Sequence, residues 1–245
     1  YKRQELGSEI RKMFVPRPGW LLVDADYSQI ELRVLAHVAQ DPLMQEAFRT
    51  GRDIHTATAA QVFGVSPEEV TPLQRRHAKA VNFGIVYGIS EFSLSEDIGV
   101  SRWEAKDYID SYLARYAGVR TYMREIVAAA KDQGYVTTMF GRRRYIPELK
   151  SSNYNIRQGA ERIALNTPIQ GTAADLIKLA MVRVDRALAE AGLTAQLILQ
   201  VHDELIVECP PEEAERVKAI VTSQMESVAQ LSVPLVADAK VGRTW

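Results

Sequence analysis

Residues 197–208 read LILQVHDELIVE, an apolar stretch interrupted at its middle by His202, Asp203 and Glu204. If the stretch is one continuous strand, its side chains alternate between two faces and Asp203 falls among apolar residues, where a lone carboxylate is costly to bury. If it is two short strands joined by a tight turn, the acids lie at a sheet end, although the turn lacks the Gly or Asn that two-residue hairpins favour. Neither interpretation explains the acids structurally, so the stretch indicates a charged ligand.

The bulk composition is that of a soluble globular protein. The chain has 245 residues, of which 47% are hydrophobic and 25% charged, enough for one large or two small units with a real core. No apolar run approaches the length of a membrane span. The net charge of −1 argues against a protein that simply coats nucleic acid. Cys209 is the single cysteine, which excludes an internal disulfide and a cysteine-based metal site.

The predicted elements begin with a strand, continue through a long helical block, and end with a hairpin, a helix and a strand. The first strand ends at Asp26, and the capping-box pattern of Ser28 and Glu31 predicts a helix directly after it. The fold class is therefore α+β, with helices inserted between the halves of a small sheet. Helices are predicted over 74–87, from 101 to about 118, and over 121–133, 158–166, 172–191 and 211–230. A hairpin is predicted over 135–145 and a last strand over 233–241. Pro168 predicts a kink between two of the helices.

Two strand-terminal carboxylates, Asp26 and Asp203, are candidates for metal binding. If their strands are neighbours, the two side chains reach one sheet edge and repel each other unless a cation lies between them. Oxygen ligands of this kind favour Mg²⁺ or Mn²⁺, and a pair of such ions supports phosphoryl transfer. Either acid alone would be interpreted as the cap of a turn.

A second candidate feature is a helical stripe formed by Arg75, Lys79, Phe83 and Tyr87, each four residues from the next. Two cations followed by two aromatic rings match an elongated ligand with phosphates at one end and a flat ring at the other, as in a nucleoside triphosphate. The alternative is an amphipathic helix whose aromatic side chains face the core. His55 is a further candidate for a phosphate site, with a structural histidine as the alternative. The absence of GxxxxGK[ST] and GxGxxG motifs removes P-loop and Rossmann interpretations.

A third stripe consists of Arg162, Asn166 and Gln170, again at four-residue spacing. These side chains donate hydrogen bonds to phosphates and to minor-groove acceptors of DNA. An exposed polar helix face is the alternative.

Three stretches together resemble the motifs of family A DNA polymerases, the bacterial DNA polymerase I type. Residues 24–33 (DADYSQIELR) resemble motif A, residues 75–88 (RRHAKAVNFGIVYG) motif B and residues 200–204 (QVHDE) motif C, in the family's order. Residues 141–147 (GRRRYIP) and 170–175 (QGTAAD) are also similar to family segments. The chain is accordingly identified as a C-terminal polymerase-domain fragment of such an enzyme.

The resemblance implies a right-hand polymerase fold. It assigns residues 1–36 and 161–245 to the palm, a small antiparallel sheet plus helices, and residues 37–160 to a mainly helical fingers insertion. The thumb is expected to be absent, with poor DNA affinity and weak or no activity of the fragment alone as the consequence.

The resemblance also implies the roles of individual residues. Asp26 and Asp203 are expected to hold two Mg²⁺ ions, with Mn²⁺ as an alternative, and Glu204 is the adjacent catalytic acid. Lys79 is expected to donate a proton to pyrophosphate, and Glu31 to exclude ribonucleotides. The residues expected to bind dNTP are Gln29, Glu31, His55, Arg75, Lys79, Phe83 and Tyr87, and those expected to contact DNA are Arg162, Asn166, Gln170 and His202.

The implied function is template-directed DNA synthesis in bacterial replication and repair. The expected partners are primer–template DNA and dNTPs, with no membrane, a monomeric state and a cytoplasmic, nucleoid-associated location. A metal-dependent phosphodiesterase could use the same two acids, but hydrolysis does not require residues that bind a triphosphate, such as the stripe from Arg75 to Tyr87. A non-catalytic DNA-binding remnant of a polymerase is the other alternative.

Overall fold

The computed structural model describes residues 9–245, which form two compact units. The sheet unit comprises residues 9–30, 174–230 and 235–245, and the helical unit comprises residues 31–173 and 231–234. The fold class is α+β, as the sequence predicts.

The elements are, in chain order, β1 Leu21–Tyr27, α1 Ile30–Val38, α2 Pro42–Arg49, α3 Ile54–Phe63, a 3-10 helix Pro67–Glu69, α4 Pro72–Tyr87, α5 Glu91–Ile98, α6 Arg102–Arg115, α7 Ala117–Gln133, β2 Tyr135–Thr137, β3 Arg143–Tyr145, a 3-10 helix Pro147–Lys150, α8 Tyr154–Glu190, β4 Gln196–Val201, β5 Glu204–Cys209, a 3-10 helix Pro211–Glu213, α9 Ala214–Glu226 and β6 Ala237–Gly242.

The sheet unit is built on four antiparallel strands in the order β4-β5-β1-β6. Strand β1 is central, paired with β5 on one side and β6 on the other, although a long helical segment separates it from both in sequence. The 197–208 stretch forms the β4–β5 hairpin, so the interpretation as two strands and a turn is confirmed and the single continuous strand is wrong.

Strand β1 buries one face against helix α9. Val23, Ala25 and Tyr27 alternate along the strand and are at most 2% exposed. The hydroxyl of Tyr27 donates a 2.6 Å hydrogen bond to the carbonyl oxygen of Met225 at the end of α9. This packing fixes β1, and it leaves Leu22, Asp24 and Asp26 on the opposite face.

Helix α4 of the helical unit has clear start and stop signals. Thr71 and Gln74 form a capping box, and Pro72 occupies the first turn, where its missing N–H costs nothing. Gly88 ends the helix in the left-handed conformation (φ 66°). The helix therefore begins two residues before the predicted span and ends at the predicted residue.

Helix α8 runs without a break from Tyr154 to Glu190 and contains Pro168. The prediction of two separate helices interrupted at this proline is therefore wrong. Proline removes a hydrogen bond and crowds the carbonyl four residues earlier. Here Ala164, Pro168 and Ile169 are all buried, and we infer that packing on this side of the helix offsets the local cost.

The β2–β3 hairpin lies against α8, and the contact requires a glycine. A Cβ atom at Gly171 would approach the Cγ2 atom of Thr138 to 2.6 Å. Two hydrogen bonds hold the same contact, from the main-chain amide of Met139 to the hydroxyl of Thr172 (3.0 Å) and from Arg142 to the carbonyl of Gly171 (2.9 Å). The predicted hairpin is confirmed.

Several predicted boundaries shift. Helix α1 begins at Ile30 rather than after Ser28, because Gln29 has a positive φ of 55°. The last strand covers Ala237–Gly242 rather than 233–241, and α9 ends at Glu226 rather than 230. Among residues 9–245, no helix is long and apolar enough to cross a membrane.

Candidate active site

Asp26 and Asp203 meet at one end of the sheet. Asp26 is the next-to-last residue of β1, and Asp203 is the second residue of the β4–β5 turn. The main-chain amide of Tyr27 donates a 3.1 Å hydrogen bond to the carbonyl oxygen of Asp203. This bond joins the end of β1 to the turn, so two aspartates 177 positions apart in sequence become neighbours in the fold.

The turn that carries Asp203 has only two residues and a strained first position. Val201 pairs with Glu204, which leaves His202 and Asp203 as the connection. His202 adopts a φ of 54°, a conformation that costs a residue with a Cβ atom about 1 kcal/mol or more. Strain of this kind persists where function or the surrounding structure requires it.

Carboxylates surround Asp26 within the sheet. Asp26 is directly opposite Glu204 on β5 and Asp238 on β6, so the three side chains emerge on the same face. Like charges directly opposite each other destabilise a sheet. Nearby cations must therefore compensate this group of acids in the folded protein.

Arg11 supplies one of those cations. Its Nη2 atom lies 2.9 Å from Oε1 and 3.3 Å from Oε2 of Glu204, whose side chain is only 9% exposed. The Arg11 guanidinium also stacks 4.4 Å from the centre of the Trp245 ring, and the amide of Trp245 donates to the carbonyl of Phe14 at 3.1 Å. Sequence reasoning missed Arg11, because no local signal connects it to Glu204.

The donor set suits a hard divalent cation. Among residues 9–245, no three His, Cys, Asp or Glu side chains are grouped as a ready-made metal site. Asp26 and Asp203 instead offer two carboxylates at one sheet end, and Mg²⁺ commonly binds one or two carboxylates and completes its shell with water and substrate phosphates. The residues present therefore fit the predicted magnesium ions.

The helical stripe of Arg75, Lys79, Phe83 and Tyr87 lies on the outer side of α4. Arg75 and Tyr87 are exposed and Lys79 and Phe83 are half-buried. The opposite side of the helix carries the buried residues His77, Ala78, Val81, Asn82 and Ile85. The interpretation in which the aromatic stripe forms core is therefore not supported.

Each end of the stripe contacts a second residue of the helical unit. The Nε atom of Arg75 lies 2.5 Å from a carboxylate oxygen of Asp53. At the other end, the hydroxyl of Tyr87 donates a 2.8 Å hydrogen bond to Glu31. The sequence motifs identify Arg75, Tyr87 and Glu31, but not Asp53 or these two pairings.

His55 lies beneath the stripe rather than on the surface. Its ring is 2% exposed, its Nδ1 atom is 3.2 Å from the amide nitrogen of Asn82, and its centre is 5.7 Å from that of the Phe83 ring. The pKa of His55 is lowered to about 4, chiefly by burial and with a smaller contribution from nearby Lys79, whereas Asp53 opposes the shift. His55 is thus neutral at pH 7 and supports α4 from below.

A concavity of about 470 Å³ opens beside the aromatic end of the stripe. Its lining includes Phe83, Tyr87, Gly88, Ser90 and Arg162. A Cβ atom at Gly88 would come within 3.1 Å of the Arg162 side chain, and the φ of 66° at Gly88 also favours glycine. The turn after α4 therefore brings Arg162 to the stripe.

The other two members of the Arg162 stripe, Asn166 and Gln170, are half-buried on α8, and Arg162 is exposed. Gln29 has a left-handed conformation between β1 and α1. The structure thus gives each predicted site residue a position, and their roles remain predictions.

Comparison with known proteins identifies the class. The sequence profile of DNA polymerase family A matches residues 2–245, and the chain belongs to this family. It is similar to DNA polymerase I of Bacillus subtilis strain 168, with 55% identity over 244 residues, and to DNA polymerase I of Streptococcus pneumoniae serotype 4, with 53% identity over 247 residues. Both alignments cover 99% of this chain and 28% of the relative.

A solved structure shares the fold. It is described as the POL domain of Pol1 from M. smegmatis in complex with DNA primer-template and dNTP, and its TM-score is 0.94 at 46% identity. The match covers 99% of this chain and 43% of that one. The chain spans 28% of the length of the two DNA polymerase I relatives, which is less than a third.

Proposed function

We propose that this chain carries the active site of a DNA polymerase, which adds dNTPs to a primer 3′-hydroxyl under the direction of a template and releases pyrophosphate. The observation that carries the proposal is the Tyr27–Asp203 hydrogen bond, because it joins the two strand ends that bear Asp26 and Asp203. The M. smegmatis relative, solved with primer–template DNA and dNTP, supports the same substrates here. DNA replication and repair are the proposed setting.

Asp26 and Asp203 would hold two Mg²⁺ ions, with Mn²⁺ as a substitute. Such a pair supplies activation of the attacking hydroxyl and charge stabilisation of the leaving oxygen when bound. The protein's contribution is to hold the two carboxylates together through β1 and the turn. Glu204 adds negative charge beside them. Its carboxylate is held by Arg11, so it would not move to coordinate a metal ion.

Arg75 and Lys79 would bind the triphosphate. Two cations one helical turn apart on the same helix face can reach one triphosphate, and arginine can hold phosphate oxygens with two parallel hydrogen bonds. Lys79 would also donate a proton to the leaving pyrophosphate. Because phosphoryl transfer depends on positioning and charge stabilisation, these residues would contribute much of the catalysis.

The aromatic end of the stripe would bind the nucleoside. Phe83 would pack on the sugar and base, and Tyr87 would lie at the base of the insertion site. Glu31, held by the hydroxyl of Tyr87, would block a ribose 2′-hydroxyl. Gln29 and His55 would lie near the sugar and phosphates, and the buried position of His55 implies that it acts mainly by supporting Phe83 and Asn82.

The DNA duplex would be contacted by polar side chains of helix α8 and of the β4–β5 turn. Arg162, Asn166 and Gln170 follow one face of α8, where they can donate to phosphates and minor-groove acceptors. His202, exposed in the β4–β5 turn, would lie near the primer terminus.

Extension of a labelled primer with dNTPs and Mg²⁺ tests the proposal. We expect Asp203→Asn to reduce extension at least about a hundredfold, because a metal ligand is lost. Asp185→Asn is the matched control, since Asp185 is an exposed aspartate of α8 in the same unit, and it should extend normally.

Three results would contradict the proposal. Cleavage of DNA without extension would indicate a phosphodiesterase. DNA binding that Asp203→Asn leaves intact, with no chemistry in the unsubstituted chain, would indicate a non-catalytic remnant. Equal extension by Asp203→Asn and Asp185→Asn would remove Asp203 from the site.

A further inference from the structure

Asp53 lies directly before helix α3 and collects three hydrogen bonds. One carboxylate oxygen, Oδ2, accepts from Nε of Arg75 at 2.5 Å and from the hydroxyl of Thr56 at 2.7 Å. The other, Oδ1, accepts from the main-chain amide of His55 at 3.2 Å. Asp53 therefore connects the start of α3 to the first turns of α4.

The contact constrains an otherwise mobile side chain. The side chain of Arg75 is 47% exposed, and an arginine at such a site samples many rotamers unless a partner holds it. Asp53 engages Nε, on one side of the guanidinium. The hydrogen bond thus orients the Nη groups without using them, and these are the groups that bind a phosphate with two parallel hydrogen bonds.

Asp53 keeps its negative charge over a wide pH range. Burial disfavours its charged form, but the hydrogen bonds from Arg75, Thr56 and His55 more than offset this effect and lower the pKa of Asp53 to about 2. The carboxylate therefore stays ionised over the pH range in which the protein functions. The N-terminus of α3 fixes its position through the amide of His55.

We propose that Asp53 is a positioning residue for triphosphate binding, which holds the Arg75 guanidinium in the orientation that receives the phosphates. The inference rests on the proposed function, in which Arg75 contacts the triphosphate. It adds to that function a residue outside the motif B helix, and it predicts that loss of the Asp53 charge acts only through Arg75.

The test measures binding of Mg²⁺–dATP to the chain by equilibrium dialysis, together with kcat and KM for dATP in primer extension. Asp53→Asn keeps an oxygen for the amide of His55 but loses the charge that holds Arg75. We expect it to weaken dATP binding about fivefold to tenfold and to raise KM by a similar factor, with kcat changed less than about threefold. Thr56→Ala is the matched control, because it removes the other hydrogen bond to Oδ2 and leaves the ion pair; it should bind dATP within about twofold of the unsubstituted chain.

A double-substitution cycle separates this inference from the proposed function. Arg75→Ala should weaken dATP binding at least as much as Asp53→Asn, and the double variant should be no weaker than Arg75→Ala alone. If Arg75→Ala leaves binding unchanged, the proposed function of Arg75 is wrong. If Arg75→Ala weakens binding but Asp53→Asn does not, or if the two effects add, the positioning role of Asp53 is wrong. Tighter dATP binding by Asp53→Asn would also overturn it, since Asp53 would then compete with the phosphates for Arg75.

Discussion

The main-chain amide of Tyr27 donates a 3.1 Å hydrogen bond to the carbonyl oxygen of Asp203. The bond involves only backbone atoms, so it fixes the position of the turn without using either aspartate side chain. It extends the β1–β5 pairing, in which Asp26 is opposite Glu204, by one further contact. The backbone therefore holds the two aspartates at the same sheet end.

The Arg11–Glu204 pair should matter for stability. We expect Arg11→Ala to lower the free energy of unfolding by about 3 kcal/mol, because it removes the cation that compensates a nearly buried carboxylate. Urea denaturation measures the change. Glu204→Gln in the same background should restore most of the loss, since it removes the charge that needs compensation. Equal instability of the single and double variants would show that Arg11 acts through its packing on Trp245 instead.

The conformation of His202 predicts a difference between two small replacements. Glycine adopts a φ of 54° without strain, whereas alanine retains the cost of a Cβ atom. His202→Gly should therefore unfold with a free energy about 1 kcal/mol higher than that of His202→Ala, as measured by chemical denaturation. Both variants lose the imidazole and should extend primers equally poorly. An alanine variant at least as stable as the glycine variant would contradict the strain at this turn.

The Tyr87–Glu31 hydrogen bond predicts two levels of ribonucleotide exclusion. Glu31→Ala should lower the ratio of kcat/KM for dNTP to that for rNTP at least about tenfold, because the obstruction to the 2′-hydroxyl is lost. Tyr87→Phe keeps the carboxylate but releases it from its 2.8 Å hydrogen bond, and it should lower the ratio by a smaller factor. An unchanged ratio in Glu31→Ala would refute the assignment of Glu31 as the gate.

The pKa of His55 predicts a loss of stability in mild acid. Burial lowers this pKa from 6.5 to about 4, so the unfolded chain takes up the proton at higher pH than the folded chain does. The stability that depends on neutral His55 is complete above about pH 6.5 and is lost as the pH falls toward 4. The loss reaches about 3 kcal/mol at most, since one pKa unit corresponds to about 1.4 kcal/mol.

Urea denaturation at several pH values between 7.5 and 4 checks this prediction. His55→Gln should flatten the dependence of the unfolding free energy on pH. The comparison between variants is necessary because the pKa values of His37 and His77 are also lowered by burial. The pKa of Asp53 is lowered from 3.8 to about 2, so its contribution to stability is lost mainly below pH 4, outside this window. An identical pH dependence in His55→Gln would contradict the role of buried His55.

Local sequence signals predicted the elements that have strong caps or alternating strands. The predicted helix start at 101 and the predicted helix ends at 87 and 133 agree with the structure, in which Ser101 forms a capping box and Gly88 and Gly134 are left-handed. The uninterrupted helix through Pro168 was not predictable in this way, because packing with distant residues decides whether a helix tolerates a proline.

The candidate site shows the same limit. Asp26, Asp203 and the α4 stripe stand out because their residue types are unusual for their positions. Arg11 and Asp53 do not, since each is an ordinary charged residue whose partner lies 193 or 22 positions away in sequence. Only the folded chain brings Arg11 to Glu204 and Asp53 to Arg75.

Cleavage of the backbone by bound Fe²⁺ tests most directly whether Asp26 and Asp203 hold a common metal site. Fe²⁺ replaces Mg²⁺ at oxygen sites, and with ascorbate and peroxide it produces radicals that cut the chain near the ion; mass spectrometry locates the cuts. We expect cuts both near Asp26 and near Asp203 in the same sample, with Asp203→Asn losing both and Asp185→Asn losing neither. Cutting at only one of the two positions, or cuts near both that persist in Asp203→Asn, would contradict the shared site.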